Sequence, residues 1–481
     1  MSREKTLIKN TAIISIGKIC TSAITFLLLP LYTGILSTKE YGIVDLLNTL
    51  LSLLVPIITL QLEKAVFREL IDNRSDLDQQ KKIISTGIIA TLLQCVLFIL
   101  VFNVFGVFYS NEYSLYLELN IIAFIFLSLF QQIARGQGRI SQYAVSNFIS
   151  ASLTIVLNIL FLTIFKMGIY GMLLGTIISY IISALYLIIR LNIIHTLRKQ
   201  SFSRKLLKSF LKFSIPLVPN SFAWWIFSAS DRVIISSFLG LDQNGIVAAS
   251  LKFSTIVVTL YSVFNYSWIE SIASNINDRD IDKFFNKIFN AVIILFTSII
   301  LIMTSFMPII YPIMINENYS SGYWLIPITM VSALFNVTQG MVAVVFEAKR
   351  NTKFLSKTSV ISAIINVIVH ILLIRYIGIY ASVISTLVAL ITMTIYRIIK
   401  INNNYFKVCF DKKNVILTSI FVLIIILLYY MNNLYTNALS MCTAIAFTLS
   451  TNFRYLDIIK ELIAKKIRKS PPQILKRNNQ R

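Results

Sequence analysis

Apolar runs long enough to cross a membrane recur along the whole chain, separated by short polar breaks. Fourteen can be marked: residues 10–36, 41–62, 83–108, 114–134, 143–165, 169–190, 211–239, 245–268, 286–310, 322–346, 355–375, 379–400, 413–432 and 435–456. About 20 predominantly apolar residues carry a helix through the hydrocarbon of a bilayer. Continuous apolar character within the runs, with turn residues between them, predicts helices; a membrane barrel would show shorter alternating strands. The expected fold class is therefore an all-α polytopic membrane protein with about 14 transmembrane helices.

The runs fall into two similar sets of six. Gly42-Ile43-Val44 opens the second run and Gly245-Ile246-Val247 the eighth, at an offset of 203. Gly168-Ile169-Tyr170 opens the sixth and Gly378-Ile379-Tyr380 the twelfth, at an offset of 210, which also matches Tyr186 to Tyr396 and Arg190 to Lys400. An even number of spans per half gives both halves the same orientation, a parallel repeat whose axis lies along the membrane normal. The expected organisation is a six-helix lobe over 1–190, a basic linker over 191–210, a second six-helix lobe over 211–400, an added helix pair over 401–456 and a basic tail over 457–481. Pro471-Pro472 interrupts any helix in that tail.

Charge sets the orientation. Of 44 Lys and Arg residues, 38 fall in the N-terminal segment, in the even-numbered connections with their flanking span ends, or in the tail. Lys39, Lys166 and Arg375 belong to the odd-numbered connections, and Lys18, Arg232 and Lys252 lie inside spans. Excess Lys and Arg marks cytoplasmic loops, so both ends are expected in the cytoplasm. The basic Arg3, Lys5 and Lys9 precede an apolar run too long for a signal peptide's roughly 7–15-residue core, which reads as an uncleaved first span. The net charge of +23 sits in short loops, where anionic lipid headgroups are the expected partners; no aromatic-interleaved basic domain is available for nucleic acid. The external connections, such as Ser110–Glu112, Leu241–Asn244 and Asn316–Asn318, are too short to build an outer domain.

Enzyme chemistry has little to stand on. The chain shows no phosphate-binding Gly-Lys loop, no nucleophile elbow and no metal-ligand pair at helical spacing, so no cofactor is expected. Cys20, Cys95, Cys409 and Cys442 match no metal spacing, and His370 reads as a hydrogen-bonded packing residue. Charge inside spans is the informative class, because it is costly there and lines substrate or ion paths. Lys18 lies in the first span, Asp45 near the outer end of the second, Asp231 and Arg232 in the seventh and Lys252 in the eighth. Two readings stay open for each. The lysines either snorkel to an interface or face a cavity. Asp231 and Arg232 either form a structural pair or serve a ligand; neighbouring residues diverge by about 100° on a helix, so at least one needs a partner elsewhere. Three intramembrane cations suit an anionic substrate, with Asp45 and Asp231 binding a coupling ion or orienting the cations. Glu63, Glu270 and Glu347 read as solvated loop-end residues. Pro30 in the first span and Pro216 and Pro219 in the seventh place candidate gating kinks in equivalent helices; Pro56 and Pro327 also fall in spans.

The opening, from Lys9 through Lys18, Pro30 and Leu31 to Glu40-Tyr41-Gly42, resembles polysaccharide-unit flippases of the Wzx type. So do Ser230-Asp231-Arg232-Val233-Ile234-Ile235-Ser236-Ser237-Phe238-Leu239-Gly240 and Gly168-Ile169-Tyr170-Gly171 with Gly175-Thr176. The likeness covers almost the whole chain and departs at Ala381-Ser382, where the usual glycine is missing. It implies two six-helix lobes around a central cavity, with two added helices. It implies movement of a polyprenyl-diphosphate-linked oligosaccharide unit to the outer leaflet of a bacterial inner membrane by alternating access, for O-antigen or capsule and exopolysaccharide assembly. An H+ or Na+ gradient would drive it, and glycan polymerase machinery would be a partner. Lys18, Arg232 and Lys252 would then touch the head group. A multidrug cation antiporter would instead favour an acidic, aromatic lining, and a membrane glycan polymerase would need a sizeable outer loop.

Overall fold

The computed structural model describes residues 25–106, 112–199, 202–349 and 351–468, and every regular element within them is a helix. Helix α1 (Leu29–Ile35) carries Pro30 in its first turn and follows a further helical stretch from Thr25, with the interruption at Leu28. Proline lacks an amide hydrogen and its ring crowds the carbonyl four residues back, so the break falls where this sequence demands one. Helix α2 (Thr38–Ile58) starts on a reciprocal cap: the Ser37 hydroxyl accepts from the Glu40 amide at 3.2 Å, and the Glu40 carboxylate accepts from the Ser37 amide at 2.9 Å. Two amides that a helix start leaves unpaired are thereby satisfied. It ends just after Pro56. Leu60 and Gln61 take left-handed backbone angles, φ 48° and 55°, before α3 (Leu62–Asp72) begins.

The first half continues with α4 (Leu77–Gly106), α5 (Ser114–Gly136), α6 (Ile140–Ile159, running into a π-turn at Leu160–Ile164) and α7 (Gly168–Arg190). The stretch expected as a linker holds two helices, α8 (Ile193–Lys199) and α9 (Arg204–Ser214). The expected boundary at 210 therefore falls inside α9. Pro216 lies in the 3-10 turn Ile215–Leu217 and Pro219 in the first turn of α10 (Val218–Phe238). Both shape the joint ahead of α10, not a kink within it, because the first turn has no intrahelical use for their missing amides. Then come α11 (Leu241–Asn275), α12 (Ile281–Met314), a 3-10 helix at Glu317–Leu325, α13 (Ile326–Ala348), α14 (Thr352–Ile377) and α15 (Tyr380–Asn404). Pro327 likewise sits in the first turn of α13. Leu241–Asn244, expected as an external connection, is the first turn of α11. The chain closes with α16 (Lys412–Met431) and α17 (Leu434–Arg468), the latter running past the expected end of the last span at 456.

Eleven helical segments of the described residues are long and apolar enough to cross a membrane. The other three expected spans are the first, described only from Thr25; the seventh, which is α10 with its Asp231-Arg232 pair; and the last, which lies in α17. On α4, Leu93, Leu97, Leu100 and Val104 are each at least 60% exposed. Their 4-3-4 spacing makes one helix face, the face a lipid environment covers. The chain is a multi-pass membrane protein.

Packing follows the repeat. Helix α7 packs on α5 and α6 in the first half; α11 on α13, α13 on α15, and α14 on α10 and α15 in the second; α16 and α17 pack on α12. The halves meet where α2 lies against α10 and α11. There the two Gly-Ile-Val motifs face one another. A Cβ on Gly42 would stand 2.0 Å from the Leu241 carbonyl oxygen, and one on Gly245 1.9 Å from that of Thr38, so only glycine allows the approach. Asn244 donates to the Gly42 carbonyl at 2.9 Å and Thr38 to Asp242 at 2.8 Å, tying the same crossing. The other repeat pair agrees in backbone angle: Gly168 and Gly378 have φ of 54° and 56° at the starts of α7 and α15, in the left-handed region that favours glycine.

Candidate functional site

Helix α10 brings two opposite charges to the contact between the halves. Asp231 turns into its own half. Its Oδ1 lies 3.2 Å from His370 Nδ1 on α14, and its Oδ2 accepts from the Thr386 hydroxyl of α15 at 3.1 Å. Arg232 turns towards the first half, with Nε 3.5 Å from Asp45 Oδ2 on α2. The roughly 100° between neighbouring helix positions is what lets one turn serve both directions. Both residues thus have partners on other helices, beyond the one that the sequence requires.

These groups are poorly hydrated. The His370 side chain is fully buried and Asp231 is 10% exposed; Arg232 and Asp45 are 22% and 18% exposed. Lys252 on α11 is half-buried and within electrostatic reach of both Asp45 and Arg232. Two cations therefore share one carboxylate at this point of the interface. His370 Nε2, the other ring nitrogen, is buried with no hydrogen-bond partner among the described residues.

A cavity of about 120 Å³ opens beside Asp231, lined further by Ser254, Thr329, Asn336, Ser382 and Thr386. It lies within the second half, among α10, α11, α13 and α15, and not between the halves. Of the residues proposed from the sequence, the structure therefore joins Asp45, Arg232 and Lys252 in one group and places Asp231 at its edge, on a separate cavity. Lys18 and Cys20 lie outside the described residues. Pro30, Pro216 and Pro219 stand at helix joints. Opposite the last two, the Gln61 amide donates to the Leu217 carbonyl at 3.1 Å and to the Ser221 hydroxyl. The left-handed break between α2 and α3 is thus stitched to the proline joint of the other half.

Two buried groups were not counted among the site residues from the sequence. His370, read there as a hydrogen-bonded packing residue, is hydrogen-bonded and its partner is Asp231. Arg397, grouped with an inner connection, lies inside α15 and is 2% exposed. Its guanidinium donates to Thr358 at 3.0 Å, to Ser359 at 3.2 Å and to Gln339, with Glu347 in electrostatic reach. Glu270 and Glu347 are exposed, as expected for helix-end groups. Glu63 is not: one carboxylate oxygen is buried without a hydrogen-bond partner among the described residues, and burial raises its carboxyl above the usual range.

A family model described as polysaccharide biosynthesis protein matches residues 7–269. No curated protein matches the sequence. Among solved structures, the lipid II flippase MurJ in an inward closed conformation is 16% identical, with a TM-score of 0.69, covering 94% of this chain and 100% of its own. An inward-facing multidrug resistance MATE family transporter of the MOP superfamily is 14% identical, with a TM-score of 0.64, covering 81% and 98%. An outward-facing multidrug resistance MATE family transporter of the same superfamily is 13% identical, with a TM-score of 0.57, covering 82% and 96%. The chain shares the fold of these transporters.

Proposed function

Since the chain belongs to the polysaccharide biosynthesis protein family, we propose that it is a flippase for a polyprenyl-diphosphate-linked oligosaccharide unit, moving it from the cytoplasmic to the outer leaflet by alternating access. The observation that carries this reading is the sharing of Asp45 by Arg232 and Lys252 where the halves meet. A diphosphate is costly in hydrocarbon, and fixed cations in a poorly hydrated cleft offset that cost. Arginine can also hold two phosphate oxygens at once. Asp45 keeps the guanidinium oriented while the site is empty. The isoprenoid tail stays in the bilayer. Assembly of O-antigen, capsule or exopolysaccharide is the fitting pathway class, with glycan polymerase machinery downstream.

Coupling belongs to the neighbouring pocket. Both Asp231 oxygens already hold hydrogen-bond donors, His370 and Thr386. A sodium ion would have to displace them from the carboxylate, so the pocket favours H+ over Na+ as the coupling ion. The excess of Lys and Arg on even-numbered connections supports cytoplasmic termini in a bacterial inner membrane; reporter fusions after Gln200 and Gln243 should read inside and outside.

A multidrug antiporter is the second reading, favoured by the transporter fold alone. Purified protein in liposomes separates the two. The flippase reading expects movement of a lipid-diphosphate glycan and little transport of a cationic dye. Robust dye antiport with no glycan movement would overturn it. In the same assay, a swap of Asp45→Arg with Arg232→Asp should leave transport lost, because the cation moves off α10. Normal transport by the swapped pair would reduce the contact to a structural one.

A further inference from the structure

We propose that α9 carries a binding site for an anionic phospholipid, seated on its outward flank where the first half hands over to the second. The helix RKLLKSFLKFS has two flanks. One is spent inside the protein: Phe210 and Ser214 are fully buried, Phe210 within the apolar cluster of α3 and α4, with Leu206 and Phe213 packed against it. The Ser203 amide donates to Thr86 on α4 at 3.1 Å, and Ser209 donates to Glu69 on α3 at 2.8 Å. The helix is therefore held in place by contacts that leave its other flank open.

That open flank bears two parallel rows. Arg204, Lys208 and Lys212 recur at spacing four and are exposed. Leu207, Leu211 and Ile215 recur at the same spacing, three positions on, so each sits beside a cation on the helix surface; Leu207 also packs against the buried cluster and Leu211 is half-buried, and the row opens fully at Ile215. With Pro216 these residues line a groove of about 490 Å³. Ile215 is 48% exposed, an apolar group with no protein cover among the described residues. No acidic residue occurs in α9; of the carboxylates beside it, Glu69 accepts from Ser209 and Asp72 lies 3.9 Å from Arg68, in a pocket that Lys212 also borders, which leaves Arg204 and Lys208 as the cations furthest from acidic neighbours in this group.

A row of cations beside a row of aliphatic side chains is complementary to one kind of molecule in a bilayer. The phosphate of a lipid headgroup meets the cations, and the first segment of its acyl chain covers the leucines. A zwitterionic headgroup would bring its own ammonium against Arg204 and the lysines, so an anionic phospholipid such as phosphatidylglycerol is the occupant that fits. The place gives the contact a consequence. Helix α9 leads directly into the joint of Pro216 and Pro219 that precedes α10 and its Asp231-Arg232 pair. A lipid bound along α9 holds that joint at the membrane surface.

The test needs no transport assay, so its outcome is independent of the flippase reading. The purified full chain is equilibrated with mixed phosphatidylglycerol and phosphatidylcholine micelles, and retained lipids are counted by native mass spectrometry. The native chain should retain phosphatidylglycerol in preference, and Lys208→Gln with Lys212→Gln should lower that retention about tenfold. Lys205→Gln, which removes a cation outside the groove, is the control and should leave retention unchanged. Equal retention of the two lipids would overturn the site. So would an equal loss with Lys205→Gln, which would mean diffuse surface charge. An isoprenoid diphosphate that displaces phosphatidylglycerol from the groove at far lower concentration would also overturn it, giving the groove to the substrate. Melting curves for each variant confirm that retention is read on folded protein.

Discussion

The two halves use the same backbone devices and place different chemistry on them. At the offset of 203, Leu28 and Leu29 correspond to Asp231 and Arg232, and Thr49 to Lys252. At the offset of 210, Leu187 corresponds to Arg397, and at the offset of 212 that relates α5 to α13, Leu127 corresponds to Gln339. Leu29, Leu127 and Leu187 are all buried apolar side chains, at most 2% exposed. What stayed common is what geometry enforces: the glycines of the α2–α11 crossing and the left-handed glycines that start α7 and α15. A leucine needs only volume. An arginine in the same place needs acceptors, and in the second half Gln339, Thr358 and Ser359 supply them. The polar character of the second half is thus a set of matched changes laid over a shared scaffold.

The comparison breaks most visibly at Arg232. Arg232→Ala removes the guanidinium at the position where the first half carries Leu29, and should cut glycan movement about a hundredfold at normal protein level, the worth of about two charge-assisted hydrogen bonds. Arg232→Lys should recover part of it. Liposome transport with quantified protein decides; normal movement by Arg232→Ala removes the residue from substrate contact.

The shared scaffold can be challenged at the crossing. Gly245→Val drives a side chain into the Thr38 carbonyl and should destabilise this packing by about 3 kcal/mol. Thermal unfolding in detergent reads the loss. An unchanged melting temperature would mean that α2 and α11 do not rely on the contact.

Smaller is the effect expected in α15. Arg397→Leu restores the residue type found at position 187 but strands its acceptors, for a cost of about 2 kcal/mol. Adding Gln339→Leu, which copies Leu127, should recover part of that cost. A double variant no more stable than the single one would refute the idea of matched changes. Smallest is Ser203→Ala. The Ser203 hydroxyl accepts from the Leu206 amide at the start of α9, and losing that cap costs about 1 kcal/mol. Hydrogen exchange at the first amides of α9 should quicken while the second-half helices stay as they were.

Most of the architecture was legible. Apolar runs located eleven membrane-crossing segments, because the bilayer forces backbone groups to pair within a helix. The repeat was readable from three-residue matches, since glycines at close crossings leave little freedom. Boundaries were less so. The joint of Pro216 and Pro219 was read as lying inside a span because hydropathy does not register where a helix turns from the surface into the membrane. Of the site, Asp45, Asp231, Arg232 and Lys252 were singled out by the cost of charge in hydrocarbon. Arg397 escaped because it stands close enough to a span's end to be grouped with the basic connection.

By itself the sequence determined an all-helical membrane protein with a duplicated plan and a few charges that had to find partners. Hydropathy, charge asymmetry and glycine placement are local properties, so each could be read without knowing the fold. The pairing of those charges was decided only by tertiary structure. Asp231 and Arg232 are neighbours in sequence, yet one belongs with His370, 139 positions on, and the other with Asp45 in the opposite half. Which carboxylate meets which cation depends on helix rotation and crossing, set by packing among segments far apart in the chain, and no periodicity within a single helix encodes it.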